Sequence, residues 1–343
     1  MPKPIGFLVR TCASLVLAAA SVRAWAGNGF PGKTWDQVAS VESAGWSGTK
    51  LAAADSFART LQTDAYLVVQ HGQIVHKYGD CDRPINIHSM RKSILSVLMG
   101  IYADRGQVDL NKTLADLGIT DKEKLSEVER KATVRQLLQA RSGVYLPAAY
   151  ETREMAAARP ARGSFPPGSH WYYNNWDFNA LGSIFTHFTR KNVFEALQDD
   201  LAQPLQFEDF KRSRDTEFWF EPVSMHPAYI MRLSARDLAR VGLLMARDGT
   251  WNDQQIVPKE WVAVSTRSFS DTGTPGRGYG YLWWVRTESQ SFSANGVDGQ
   301  IMVVNPARDL IFVHLVDTDH GSGRKVSGSQ LTALLQLVMD ARN

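Results

Sequence analysis

The stretch Ile87-His88-Ser89-Met90-Arg91-Lys92-Ser93-Ile94-Leu95 opens a segment of helical period, marked by Ile94, Leu95, Leu98, Ile101 and Tyr102. Ser89 falls where that helix begins, and Lys92 follows three residues later. The spacing sets the serine hydroxyl and the lysine amine on the same side of the first turn. A helix N-terminus favours developing negative charge, and a desolvated lysine can lose its proton and act as a base. The plainer alternative is an N-cap serine followed by a solvated lysine. The chain elsewhere must choose between them.

Upstream, residues 49–62 read as a helix with Leu51, Phe57 and Leu61 on one face. Residues 65–70 and 73–78 are β-type runs separated by His71-Gly72, a hairpin signal. Downstream, helical patterns are expected at 122–139, 177–188, 193–201 and 235–248. Strands are expected at 280–285, 290–294, 301–305 and 310–316, and a closing amphipathic helix at 329–341. A lone hairpin is too small to stand by itself and must pair with the late strands. The expected fold is therefore α+β: an antiparallel β-sheet drawn from both ends of the chain (35–88 and 250–343), flanked by N- and C-terminal helices, with a mostly helical domain (89–249) inserted between. The interface between the two domains is the natural place for a site.

A second element supports the catalytic reading. Pro167-Gly168 leads through Trp171-Tyr172-Tyr173-Asn174-Asn175-Trp176 to Leu181-Gly182, a Tyr-x-Asn pattern in a loop entering a helix. A tyrosine there can relay protons, and an asparagine amide can hold a lysine or a substrate. A buried aromatic cluster would produce much the same sequence. Ser-x-x-Lys is, however, the nucleophile signature of penicillin-recognising serine enzymes. With Thr133 to Leu138, Ser142-Gly143-Val144, Ser234 to Arg240, Gly278 to Trp284 and Gly296 to Gln300 in order behind it, the chain from about residue 60 onward resembles the β-lactamase and penicillin-binding-protein superfamily. It is similar in particular to the class C β-lactamase-like group of esterases, amidases and 6-aminohexanoate-dimer hydrolases.

The resemblance implies Ser89 as acylated nucleophile, Lys92 as its base partner, Tyr173 as second acid/base group and Asn175 as the orienting residue of the Tyr-x-Asn element. Tyr172 with Asn174 is the alternative register. The sequence departs from the family at the third element: where relatives carry Lys-Thr-Gly or His-x-Gly, it reads Ala294-Asn295-Gly296. The cation that holds a β-lactam carboxylate is missing there, with Arg308 and Arg324 as candidates to replace it from elsewhere. Gly296 lets backbone approach a ligand, and the N–H groups of Val297 and Ser89 are the candidate oxyanion hole. The expected activity is hydrolysis of a small-molecule ester or amide through acyl-Ser89, without metal or organic cofactor. A β-lactamase or cell-wall D-amino-acid peptidase is the rival enzyme, and a non-catalytic penicillin-binding-like sensor or scaffold the rival of another class.

Composition bounds these readings. The 343 residues carry 38 Lys+Arg against 35 Asp+Glu, with 44% hydrophobic and 10% aromatic residues, which excludes a disordered chain and gives little support to nucleic-acid binding. Residues 1–26 combine a basic start (Lys3, Arg10), an apolar stretch and Ala24-Trp25-Ala26, the pattern of an export signal. Removing Lys3, Arg10 and Arg23 from the 38 leaves 35 basic residues against 35 acidic. It also leaves Cys81 as a lone thiol, to which no catalytic role is given. A periplasmic or secreted protein with no membrane attachment after cleavage is expected. The His314 to His320 segment reads as a core-strand histidine followed by a polar loop rather than as a metal cluster, and the charged run 121–135 as a solvated helix face. Of Trp283 and Trp284, one should face the core and the other the cleft.

Overall fold

The computed structural model describes residues 29–320 and 323–343, so the expected export signal lies outside the described residues. The chain begins with α1 (Gly48–Ala58), the hairpin β1 (Ala65–Gln70) and β2 (Gln73–Gly79), and a short β3 (Ile85–Asn86) before α2 (Met90–Asp104). Then come α3 (Val134–Leu138), α4 (Arg153–Ala158), α5 (Asn175–Thr189), α6 (Val193–Ala196), α7 (Arg212–Asp215), β4 (Thr216–Trp219), β5 (Ala228–Leu233) and α8 (Ala235–Ala246). The last third holds β6 (Thr250–Trp251), β7 (Gln254–Gln255), α9 (Lys259–Ser265), β8 (Ser270–Asp271), β9 (Arg277–Tyr279), β10 (Trp284–Arg286), β11 (Ser291–Asn295), β12 (Ile301–Asn305), β13 (Leu310–Leu315) and α10 (Gly328–Asp340).

Eight strands form one sheet in the order β2-β1-β13-β12-β11-β10-β9-β8, with antiparallel pairing throughout. The early hairpin joins the late strands through β1 and β13, whose register runs from Ala65 opposite Leu315 to Gln70 opposite Leu310. Every residue of both strands is buried, because helices cover both faces. Tyr66, Val68, Leu310 and Phe312 turn outward to α1 and α10, whereas Leu67, Val69, Ile311 and Val313 turn inward to a core shared with α2 and α8. Alternate side chains of one strand thus feed two cores, which is why AYLVVQ and LIFVHL lack the polar positions of a half-exposed strand.

The helix at the centre is α2. Residues 90–102 are all buried, so this helix lies inside the protein instead of resting on it. Trp261 packs directly on Gly100, where any Cβ would meet its indole. Helix α8 packs on β1, β12 and β13, although it precedes the boundary expected at 249. The interposed segment also contributes β4 and β5 to a small sheet β3-β5-β4 completed by β3 from before it, unforeseen in a region read as helical.

The run 122–139 departs most from expectation. Only Val134–Leu138 is α-helix, after a single 3-10 turn at Glu129–Lys131. Glu123 and Glu127 are exposed, as expected of a solvated face, but the other two acids of the charged run 121–135 are not. Asp121 is buried and accepts from Trp176 Nε1 at 2.7 Å and from Ser224 Oγ, and Glu129 is buried against Arg162. Charges spaced three and four apart imitate a helix, but here Asp121 and Glu129 serve long-range partners. His314 matches its reading as a core-strand residue: it is fully buried, bonded to the Gly299 carbonyl at 2.7 Å and to Thr63 Oγ1 at 3.0 Å. Cys81 is buried, and burial pushes its thiol up to about 12. No helix among the described residues is long and apolar enough to cross a membrane.

Candidate active site

Helix α2 starts from an unusual turn. His88, immediately before Ser89, has a left-handed backbone (φ 46°), a conformation that costs a non-glycine residue roughly 1 kcal/mol or more and persists only where neighbours hold it. Four contacts do so. The His88 N–H donates to Asn86 Oδ1 (3.0 Å), its ring nitrogens meet Tyr150 OH (3.0 Å) and Thr318 Oγ1 (2.7 Å), and its carbonyl accepts from Arg91 Nη1 (3.1 Å). Burial pulls the imidazole down to about 4, so at neutral pH this network carries an uncharged ring.

Ser89 occupies the N-cap position, yet its hydroxyl makes no capping bond. Oγ instead takes a hydrogen bond from Lys92 Nζ at 2.7 Å, and the same Nζ lies 2.9 Å from Tyr173 OH. The three residues form one contiguous cluster. Lys92 is only 1% exposed, enclosed by the rings of Tyr173 and Phe178 at 4.5 and 4.7 Å. Burial, reinforced by the neighbouring Arg91 charge, holds its amine well below the usual lysine range. Burial also pushes the Tyr173 phenol up to about 12, partly offset by its bond to Ser89 and by Arg91. The cluster therefore pairs an amine poised to accept a proton with a phenol that keeps its own.

Tyr173, not Tyr172, enters the cluster. Tyr172 OH donates to the Met155 carbonyl at 2.7 Å and its ring packs on Tyr145. The register is set by the start of α5, where Asn174 caps Trp176 N and its Nδ2 reaches the Val144 carbonyl at 2.6 Å. Asp177, fully buried, accepts from Ser142 and Asn174, and burial drives its carboxyl well up. Of the two contacts open to the Asn175 amide, a lysine or a substrate, the one to Lys92 is not made. Its Nδ2 donates to the Tyr150 carbonyl at 2.7 Å, and its Oδ1 is buried without a partner. The first residue of α5 points along the helix flank, so its amide supports the Tyr150 loop.

The sheet supplies the opposite wall. At the end of β11, a Cβ on Gly296 would stand 2.8 Å from the Ile87 carbonyl and 2.7 Å from Gln300 Cβ, so only glycine lets this strand approach the turn before Ser89 so closely. Neither the Ser89 nor the Val297 N–H has a hydrogen-bond partner among the described residues. Trp284 stacks on Tyr173 with ring centroids 5.4 Å apart, whereas Trp283 is buried in the core. Ala294 is fully buried and offers no cation. The two arginines expected as replacements lie elsewhere: Arg324 pairs with Asp64 at 2.7 Å, and Arg308 borders a groove of about 1070 Å³ between α10 and the outer face of the sheet. Arg277 stands closer to the site, its guanidinium 4.5 Å over the Trp284 ring and its Nη2 2.8 Å from the side-chain amide of Asn295. The alternation of Trp283 and Trp284 put one of them in the cleft, and Trp284 is that one; Arg277 had no such signal, because only the sheet edge brings it beside Trp284.

The Beta-lactamase family profile matches residues 50–337. The chain belongs to the β-lactamase family. Solved structures of similar fold include a family VIII carboxylesterase (15% identity, 85% of this chain and 97% of that one, TM-score 0.64). A penicillin-binding protein homologue from Caulobacter crescentus is another (16% identity, 87% and 99%, TM-score 0.63). A β-lactamase from Mycobacterium bovis is a third (18% identity, 84% and 97%, TM-score 0.58). The sheet with flanking helices is the fold of this family, and its serine hydrolases are the class to which the chain is assigned.

Proposed function

We propose that the protein is an exported serine hydrolase that cleaves an ester or amide through an acyl-Ser89 intermediate. The observation that carries this reading is Lys92 Nζ held at 2.7 Å from Ser89 Oγ and 2.9 Å from Tyr173 OH in a buried setting that favours the free amine. Neutral Lys92 takes the hydroxyl proton as Oγ attacks the acyl carbon. The developing oxyanion lies toward the N–H groups of Ser89 and Val297, donors of a kind each worth about 3 kcal/mol in a transition state. Tyr173 gives its phenolic proton to the leaving oxygen or nitrogen and is reprotonated from the Lys92 ammonium. Water then attacks the acyl-enzyme by the same proton path, returning the hydrogen to Ser89 Oγ. Asn175 acts at one remove, through the Tyr150 loop.

The test is a panel on the chain starting at Gly27: short p-nitrophenyl esters, linear amides, nitrocefin, and a fluorophosphonate probe followed by peptide mapping. Ester or amide turnover with label on the Ser89 peptide is expected. Nitrocefin should be the poorest substrate, since Ala294 provides no cation for its carboxylate. Label at another residue, or no turnover of any ester or amide, overturns the reading. N-terminal sequencing of the exported chain should begin at Gly27; a mature product that retains residues 1–26 would remove the export half. Tyr173→Phe keeps the stacked ring but loses the proton relay, and its kcat should fall about 10²- to 10⁴-fold with little change in KM.

A further inference from the structure

Arg91 lies within the nucleophile motif, between Ser89 and Lys92, yet it is 1% exposed. Arginine is almost never fully buried without an acidic partner. Among the described residues no carboxylate oxygen comes within 4.0 Å of this guanidinium. It is sandwiched between the rings of Tyr150 and Tyr229, each centroid 5.2 Å from Cζ, and donates through Nη1 to the His88 carbonyl. Its Nε and Nη2 are buried without hydrogen-bond partners. A cation so placed is expensive to bury, and a structural role alone would be filled more cheaply by an apolar side chain of similar length.

We propose that Arg91 is a positioning residue of this site: its fork holds the left-handed His88 turn that presents Ser89, and its uncompensated charge, one residue from Lys92, disfavours a second cation there so that the lysine serves as a free base. The inference rests on the hydrolytic reading above. The surroundings of Lys92 leave Arg91 as the dominant charge. From α2 itself, Ser89 and Arg91 face the amine; from the α5 side, Tyr173 and Phe178. Further out stand Tyr150 and, held uncharged at neutral pH by burial, His88, Tyr229 and Tyr279. Asp177 is buried and pushed toward its neutral form, and Asp319 is committed to Arg232 at 2.9 Å. No nearby carboxylate offsets the guanidinium.

The test is the pH profile of kcat/KM for p-nitrophenyl ester hydrolysis by the wild type and three variants. The rate requires neutral Lys92, so it rises with pH through the ionisation of that amine. Arg91→Met and Arg91→Gln both remove the charge, and Gln keeps a donor for the His88 carbonyl; Arg91→Lys keeps the charge. In either neutral variant that folds, the rising limb should move about one pH unit or more upward, with much of the loss recovered above it. Arg91→Lys should leave the limb within about half a unit of its wild-type position. A uniform loss across pH in the neutral variants, with the limb unmoved, overturns the inference and reduces Arg91 to packing. An equal displacement in Arg91→Lys overturns it too, since charge would then not be the cause. If the wild type itself turns over no ester, it is the hydrolytic reading that fails.

Discussion

Ser89→Ala is expected to lower kcat/KM for a short p-nitrophenyl ester by at least about 10⁴-fold and to abolish fluorophosphonate labelling, while the thermal transition stays within a few degrees of wild type. Both halves follow from one geometric fact. A serine at a helix N-cap usually accepts a backbone N–H bond, and its loss costs about 1 kcal/mol. Ser89 makes no such bond; its hydroxyl is turned to Lys92 at 2.7 Å. Alanine therefore removes the hydroxyl beside Lys92 without removing a cap. The His88 turn, held by Asn86, Tyr150, Thr318 and Arg91, remains in place. Undiminished turnover in the alanine variant would exclude an acyl-Ser89 intermediate. A large loss of stability alongside inactivity would mean that Ser89 serves the helix after all.

What the sequence disclosed depended on how local the determinants were. Ser89 and Lys92 lie within one helical turn, so their spacing alone predicts that they meet. Tyr173 comes from a distant segment, but the short loop into α5 fixes its register, and the structure brings its hydroxyl to Lys92. Strands β1, β12 and β13 were legible because continuous apolar runs bounded by turn residues have few alternative readings. The failures share a different cause. The 122–139 run looked helical because its charges recur at helical spacing, and nothing local reveals that Asp121 answers to Trp176 and Ser224, or Glu129 to Arg162. Asn175 matched a motif by position, whereas its bond to the Tyr150 carbonyl depends on the path of a separate loop. Arg277 reaches the Trp284 face only because β9 and β10 pair at the sheet edge.

Lys92→Met is the sharper test, because activity and stability should move in opposite directions. Turnover should fall at least about 10⁴-fold, since the variant has no base within reach of Ser89 Oγ and the phenol of Tyr173 is pushed up to about 12. Stability at pH 7 should be equal to or above wild type. In the unfolded chain Lys92 ionises at the ordinary value of 10.5, whereas burial and the Arg91 charge hold the folded amine well below it. Between those two values the unfolded state binds a proton that the folded state does not, so the wild type gains stability as pH rises through this window and loses it as pH falls. Methionine fills a similar volume, titrates nowhere and removes that dependence. Thermal transitions measured from pH 7 to pH 10 should accordingly show Lys92→Met at or above wild type at the lower end, with the gap narrowing towards pH 10. A variant less stable than wild type at pH 7 would mean that Lys92 is charged in the folded protein and stabilised by something other than its observed neighbours. An enzyme that keeps this amine buried beside a cation gives up stability to hold its base unprotonated, a trade of the kind expected at a catalytic site.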